Sequence, residues 1–200
     1  MTRVRRCRPG AVPLPLGTWG AVLLAVALGC RSATPSPYAP LSEATRSTAR
    51  AEALNREAAD LMETEAAKAE RLLREALTAD LFHGPAHNNL GVLFLEQGKL
   101  YEAAGEFEWA KKLMPGHPDP RVNLALTLER AGRIDEAFAG YESALEVWPD
   151  YLPAIQGLAS LTVRTGRQDA RLARWLDAIA MRAESVHWRE WARARSQRTR

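Results

Sequence analysis

Residues 84–117 read GPAHNNLGVLFLEQGKLYEAAGEFEWAKKLMPGH, and residues 118–151 read PDPRVNLALTLERAGRIDEAFAGYESALEVWPDY. Eight positions match at a spacing of 34 residues: Leu90/Leu124, Gly91/Ala125, Phe94/Leu128, Gly98/Gly132, Ala103/Ala137, Phe107/Tyr141, Ala110/Ala144 and Pro115/Pro149. A repeat of this length is one supersecondary unit, which buries its apolar face only by stacking on its neighbours. The sequence therefore predicts a stacked array.

Each copy reads as two helices joined by a tight turn. Pro85 suits the first turn of a helix, and Gly98 supplies the positive φ that ends it. The order of small, aromatic, small and proline residues resembles the tetratricopeptide repeat (TPR). The resemblance implies an all-α solenoid of antiparallel helix hairpins, in which Gly91 and Ala103 are small because the two helices approach closely. It also implies a protein-binding scaffold.

The first repeat is less regular than the next two. Its second helix is indicated by residues 34 positions before matched ones, namely Ala69, Leu73, Ala76 and Leu77. For the first helix, the positions 34 residues before Leu90 and Gly91 are occupied by Arg56 and Glu57. A turn one residue shorter would bury Leu54, Ala58 and Leu61 instead, so the register stays open.

A degenerate fourth repeat and a final helix are expected to end the array. Leu158-Ala159 and Gly166 follow the pattern, but Arg171 replaces the small residue at the position of Ala137. After Met181, Trp188 and Trp191 lie three residues apart, on one helical face. We expect a capping helix over residues 182–200, with contact to lipid or nucleic acid as the alternative, and a TPR array over residues 50–181.

The N-terminus reads as a signal peptide over residues 1–29, with arginines before an apolar run. The run is too short to span a bilayer comfortably, because a transmembrane helix needs roughly 20 apolar residues. It ends in Ala27-Leu28-Gly29-Cys30, which resembles the lipobox of bacterial lipoproteins, although Leu is more usual at Ala27. The resemblance implies acylation of Cys30; the alternative is an ordinary secretory signal with an incidental cysteine.

The address implied by this leader is the bacterial cell envelope. The residue after Cys30 is Arg31, whereas an Asp at this position is associated with inner-membrane retention of lipoproteins. The resemblance therefore favours the outer membrane, facing the periplasm. Residues 30–49 form the predicted tether, because three prolines between Ser32 and Pro40 oppose a helix. Removing the leader's four arginines changes the net charge from +3 to about −1, so the basic pI does not indicate nucleic acid.

The sequence contains one pair of residues with the spacing of metal ligands. His83 and His87 have the spacing of helix-borne metal ligands, but Gly84-Pro85 separates them and no further ligand completes a set. No phosphate-binding loop and no nucleophile–base pair is evident. We predict no enzymatic activity, no metal and no cofactor.

By resemblance, the first helices line a concave groove that binds a protein or peptide client. The groove residues carried over by position are Asn88, Val92, Leu95, Glu96, Val122, Leu126, Glu129 and Arg130. The alternative is that the C-terminal helix covers them. We expect a lipid-anchored scaffold that helps assemble an envelope complex, or else a regulatory adaptor for peptidoglycan-active enzymes or proteases.

Overall fold

The computed structural model describes residues 46–197, which contain nine α-helices and no strand. The leader, Cys30 and most of the predicted tether therefore lie outside the described residues. The helices are α1 (Thr48–Leu61), α2 (Ala66–Ala79), α3 (Gly84–Glu96), α4 (Leu100–Leu113), α5 (Asp119–Arg130), α6 (Ile134–Val147), α7 (Leu152–Thr165), α8 (Leu172–Arg182) and α9 (Val186–Ser196). None of the helices in this range is both long and apolar enough to cross a membrane.

The helices start and stop where the repeat pattern predicts. A proline lies in the first turn of α3, α5 and α7, where its missing N–H has no intrahelical partner to lose. After α3, Gly98 adopts φ 73°, and Lys99 N–H donates to Phe94 C=O at 2.8 Å. Gly132 and Arg133 repeat this arrangement after α5, with Arg133 N–H donating to Leu128 C=O at 2.9 Å. These left-handed caps turn the chain back on itself, so that consecutive helices run antiparallel.

The hairpins α1–α2, α3–α4 and α5–α6 stack in chain order and continue into α7 and α8. This is the all-α TPR solenoid that the sequence predicted, and the fold is confirmed. The matched residues Leu90 and Leu124 are both buried, as are Phe107 and Tyr141.

The open register of the first repeat is settled by the length of its turn. Four residues, 62–65, separate α1 from α2, whereas three residues, 97–99, separate α3 from α4. The buried positions of α1 are Ala51, Asn55 and Ala58, while Leu54 and Leu61 are only half-buried. The turn is thus one residue longer than that of the second repeat rather than one shorter, although Ala58 belongs to the core and Leu54 and Leu61 pack against it.

The fourth hairpin departs from the repeat at its second helix. α8 begins at Leu172, after a connection of six residues, and buries Trp175, Leu176 and Ile179. Arg171 lies just before α8 and pairs with Asp169 and Glu142, both at 2.7 Å. A charged residue at this position is tolerated because the helix starts after it.

Candidate functional site

The inner face of the array is formed by α1, α3, α5 and α7. Each of these helices contacts the next one in the row, whereas α2, α4 and α6 do not make comparable contacts with one another. Because the first helices of the hairpins lie closer together than the second ones, the stack curves toward them. The concave face of the described residues is therefore the face from which the sequence predicted binding.

Three apolar residues of the predicted groove lie partly open on this face. Val92 and Leu126 are half-buried against the core formed by α1–α4, and Val122 is half-buried against the core formed by α6–α9. Glu96 and Arg130, at the ends of α3 and α5, are exposed. The structure thus brings together an apolar strip with one acidic and one basic end group.

Leu95 and Glu129 belong to the joints between repeats rather than to the open face. Leu95 is only 5% exposed. The Glu129 side chain is 12% exposed; it pairs with Arg164 of α7 at 2.8 Å and accepts a 2.9 Å hydrogen bond from Tyr141 Oη. Burial, with the neighbouring Glu129 carboxylate, raises the pKa of Tyr141 well above its ordinary value, so the phenol remains a donor. A client therefore has little access to either predicted residue.

Asparagine side chains connect successive inner helices. Asn89 Nδ2 donates to Asn55 Oδ1 at 3.0 Å, and Asn123 Nδ2 donates to Asn88 Oδ1 at 3.0 Å. Arg130 Nη1 adds a 3.2 Å hydrogen bond to the Leu95 carbonyl. Asn88 and Arg130 thus have a structural role in addition to the predicted one. The 34-residue spacing of Asn55, Asn89 and Asn123 was the available signal for these bonds.

The C-terminal helix does not cover this face within the described residues. α9 packs mainly against α8, and Trp188 and Trp191 are half-buried against the last hairpins, with their ring centroids 5.2 Å apart. This is the capping arrangement that the sequence favoured. The alternative, in which the chain covers its own groove with α9, is wrong.

A second depression lies on the outer side, between α4 and α6. Its two adjoining cavities have volumes of about 280 and 310 Å³ and share the lining residues Glu108, Leu124, Leu128 and Glu136. Gly105 of α4 borders it, and no atom would touch a β-carbon placed there. The depression is open to solvent, and its lining mixes charged side chains with small and aliphatic ones.

The two histidines flagged by their spacing are engaged by protein groups. His83 caps α3: its Nδ1 accepts the Ala86 N–H at 3.2 Å, and its Nε2 lies 3.0 Å from Glu52 Oε2. His87 Nδ1 lies 2.6 Å from Glu106 Oε2, and His87 Nε2 lies 2.9 Å from the Leu81 carbonyl oxygen. Among residues 46–197, no group of three or more His, Cys, Asp or Glu side chains is arranged to hold a metal.

Comparison with known proteins gives structural matches alone, since no family model and no curated protein sequence matches the chain. The first TPR domain of Spaghetti (RPAP3), solved with an HSP90 peptide, has a TM-score of 0.57 at 15% identity, covering 61% of this chain and 98% of that one. The Sgt2 TPR domain of Aspergillus fumigatus has a TM-score of 0.57 at 21% identity, covering 64% and 85%.

A Thermobaculum terrenum O-GlcNAc transferase mutant has a TM-score of 0.60 at 25% identity, over 73% of this chain. The match spans only 26% of the transferase. These neighbours agree with the TPR fold.

Proposed function

We propose that this chain is a lipid-anchored TPR scaffold of the bacterial envelope, which recruits a protein client through its inner face and helps a protein complex assemble there. The observation that supports the proposal is the open strip of Val92, Val122 and Leu126 on the concave side. Partly exposed aliphatic residues between polar ends suit the apolar side of a client helix or strand. The peptide bound to the RPAP3 domain is a precedent for TPR occupancy.

The anchor and the groove have separate parts in this function. Acyl chains on Cys30 would confine the scaffold to the membrane surface, because two or more chains exceed the marginal binding of one. The groove would then select the client. Substituting Cys30→Ser is expected to release the protein into the soluble fraction; unchanged retention in membranes would reject acyl anchoring.

Client binding is tested by photo-crosslinking from the inner face in intact cells. A photoreactive residue at Val92 or at Leu126 is expected to capture the same protein, because the two positions lie on neighbouring helices of one strip. Tyr101 is the matched control position, since it is 91% exposed but lies at the start of α4, outside the strip. Equal capture from all three positions, or none from Val92 and Leu126, would contradict the proposal.

A charge reversal at the edge of the strip separates recognition from folding. Glu96 is exposed at the end of α3, beside the strip. Glu96→Lys is therefore expected to weaken capture from Leu126, because it reverses a charge that the client meets. The melting temperature should stay within a few degrees, because exposed substitutions change stability little. The identity of the captured protein then decides between an assembly role and regulation of another envelope enzyme.

A further inference from the structure

The exposed large hydrophobic side chains of this protein are concentrated on one edge of the array. Within residues 46–197, seven such side chains are at least 46% exposed, and six of them lie near the junctions between the second helix of a hairpin and the helix that follows it: Leu81, Phe82, Trp109, Trp148, Met181 and Val186. We name these six the junction edge. The seventh, Tyr101, follows the turn at the opposite end of a hairpin.

Antiparallel alternation places all of these junctions on the same side, and direct contacts join them into one row. His87 binds the Leu81 carbonyl and stacks on Trp109, with ring centroids 5.8 Å apart. Further along, Tyr151 donates a hydrogen bond to Asp119 and packs on Trp148, with centroids 5.6 Å apart.

The row continues to the last hairpin. Arg182, beside Met181, donates to the Asp150 carbonyl at 2.8 Å, which joins the end of α8 to the turn before α7. These contacts therefore link neighbouring junctions along the stack and keep the six side chains on one side of it.

The described chain also begins on this edge. Ser47 N–H donates to the Ala79 carbonyl at 2.9 Å, so the start of α1 lies beside the end of α2. The Arg46 guanidinium lies 2.7 Å from Asp80 Oδ1 and 5.6 Å from the centre of the Phe82 ring. Only residues 31–45 separate this point from Cys30. Any anchor at Cys30 thus attaches to the array on the side of the junction edge.

The chemistry of the edge suits the boundary between lipid and water. Tryptophan is enriched there because its large ring is apolar and its indole N–H stays hydrated. The charges on the edge are mixed: Arg46 pairs with Asp80, Arg182 lies near Asp150, and Lys112 lies over Trp109. With both signs present, contact with a membrane would come from apolar burial rather than from attraction to anionic headgroups.

We propose that the junction edge rests on the lipid surface that holds Cys30, with Phe82, Trp109 and Trp148 entering the headgroup region. This inference rests on the lipid anchor of the proposed function and adds an orientation to it. The helix axes would point away from the membrane, and the inner strip would run parallel to its surface, open to a client from the side.

The test uses the acylated protein, purified from bacterial membranes and placed in phosphatidylcholine vesicles. A single cysteine replaces Phe82, Trp148 or, as the control, Tyr101, and carries an environment-sensitive fluorophore. Doxyl-labelled lipid is expected to quench the label at the first two positions several-fold more than at Tyr101, with little change between low and high salt. Circular dichroism verifies that each labelled protein is folded.

Three results would overturn the inference. Labels at Phe82 and Trp148 that remain in water on vesicle-bound protein would reject the edge contact and leave the anchor intact. Shielding of the same labels from an aqueous quencher in the soluble Cys30→Ser protein would mean that the chain's own segments cover the edge. A protein that never associates with vesicles would reject the anchor and the edge together.

Discussion

Gly91 shows how one residue sets the distance between two helices. A β-carbon placed on Gly91 would lie 2.7 Å from Phe107 Cε1, well inside van der Waals contact. Phe107 is fully buried, so its ring has no free space to move into. The close approach that the TPR resemblance implied for Gly91 is present in the structure.

Substituting Gly91→Ala is expected to destabilise the protein by about 1–2 kcal/mol. Overpacking typically costs about 1–3 kcal/mol, and alanine's better helix propensity returns up to about 1 kcal/mol. Urea unfolding followed by circular dichroism measures the change.

The matched control is Gly105→Ala in the neighbouring helix. Nothing lies within 4 Å of a β-carbon at Gly105, so the substitution is expected to raise the free energy of unfolding by about 0.5–1 kcal/mol. If both substitutions stabilise the protein equally, Phe107 does not constrain Gly91.

At the scale of residues, the sequence predicted apolar positions better than polar ones. Leu90 and Phe94 follow from periodicity: Leu90 and its match Leu124 are both buried, and Phe94 is buried where its match Leu128 is half-buried. The partners of Glu129 do not follow, since Arg164 is contributed by the next hairpin and its pairing depends on the curvature of the stack. Glu129, which spacing alone assigned to the groove, therefore lies in the contact between two hairpins.

The first hairpin is closed by a buried carboxylate at the end of α2. The Asp80 side chain accepts hydrogen bonds from Arg46, Thr48 and the Phe82 backbone N–H, at 2.7 to 3.0 Å. Burial alone would raise the pKa of Asp80, but these donors outweigh it and hold the pKa below its ordinary value of 3.8. The start of α1 is thereby tied to the end of α2.

Substituting Asp80→Asn is expected to lower the free energy of unfolding by about 1–3 kcal/mol at neutral pH, because charge-assisted hydrogen bonds are lost. A carboxyl group whose pKa is lower in the folded than in the unfolded protein stabilises the fold at pH values above its unfolded pKa. This stabilisation is lost as the pH falls through the folded pKa. The difference in free energy of unfolding between Asp80→Asn and the unaltered protein should therefore shrink progressively below about pH 4. Urea unfolding between pH 3 and pH 7 measures it.

Asp60→Asn is the control for this pH dependence, since Asp60 is exposed on α1 and its change should stay within about 0.5 kcal/mol. A stability gap for Asp80→Asn that is constant across the whole pH range would show that the carboxylate charge does not stabilise the hairpin.

At the scale of elements, helix positions were predictable where glycine and proline mark them. α3, α5 and their turns follow from Pro85, Gly98 and Gly132. The turn after α1 contains no glycine, and there the sequence left the register open by one residue. The late start of α8 likewise goes with ion pairs of Arg171 to Asp169 in the connection and to Glu142 in α6, which no periodicity encodes.

The whole molecule has two buried clusters that meet within α5. Leu124 packs with the cluster formed by α1–α4, and the next residue, Ala125, packs with the cluster formed by α6–α9. Stacking as such was predictable, because each repeat exposes an apolar face without its neighbours. The division at α5 was not predictable, since it depends on the side of α5 on which Leu124 and Ala125 each lie.

This division predicts that the two halves respond separately to a core cavity. Leu73 in α2 and Leu158 in α7 are both fully buried, and truncating either to alanine typically costs about 2–5 kcal/mol. In an array held together by neighbour contacts, the loss stays near its origin. Hydrogen exchange is expected to show Leu73→Ala reducing protection in α1–α4 more than in α7–α9, and Leu158→Ala doing the reverse. A uniform loss of protection from either substitution would mean that α5 couples the halves into one cooperative unit.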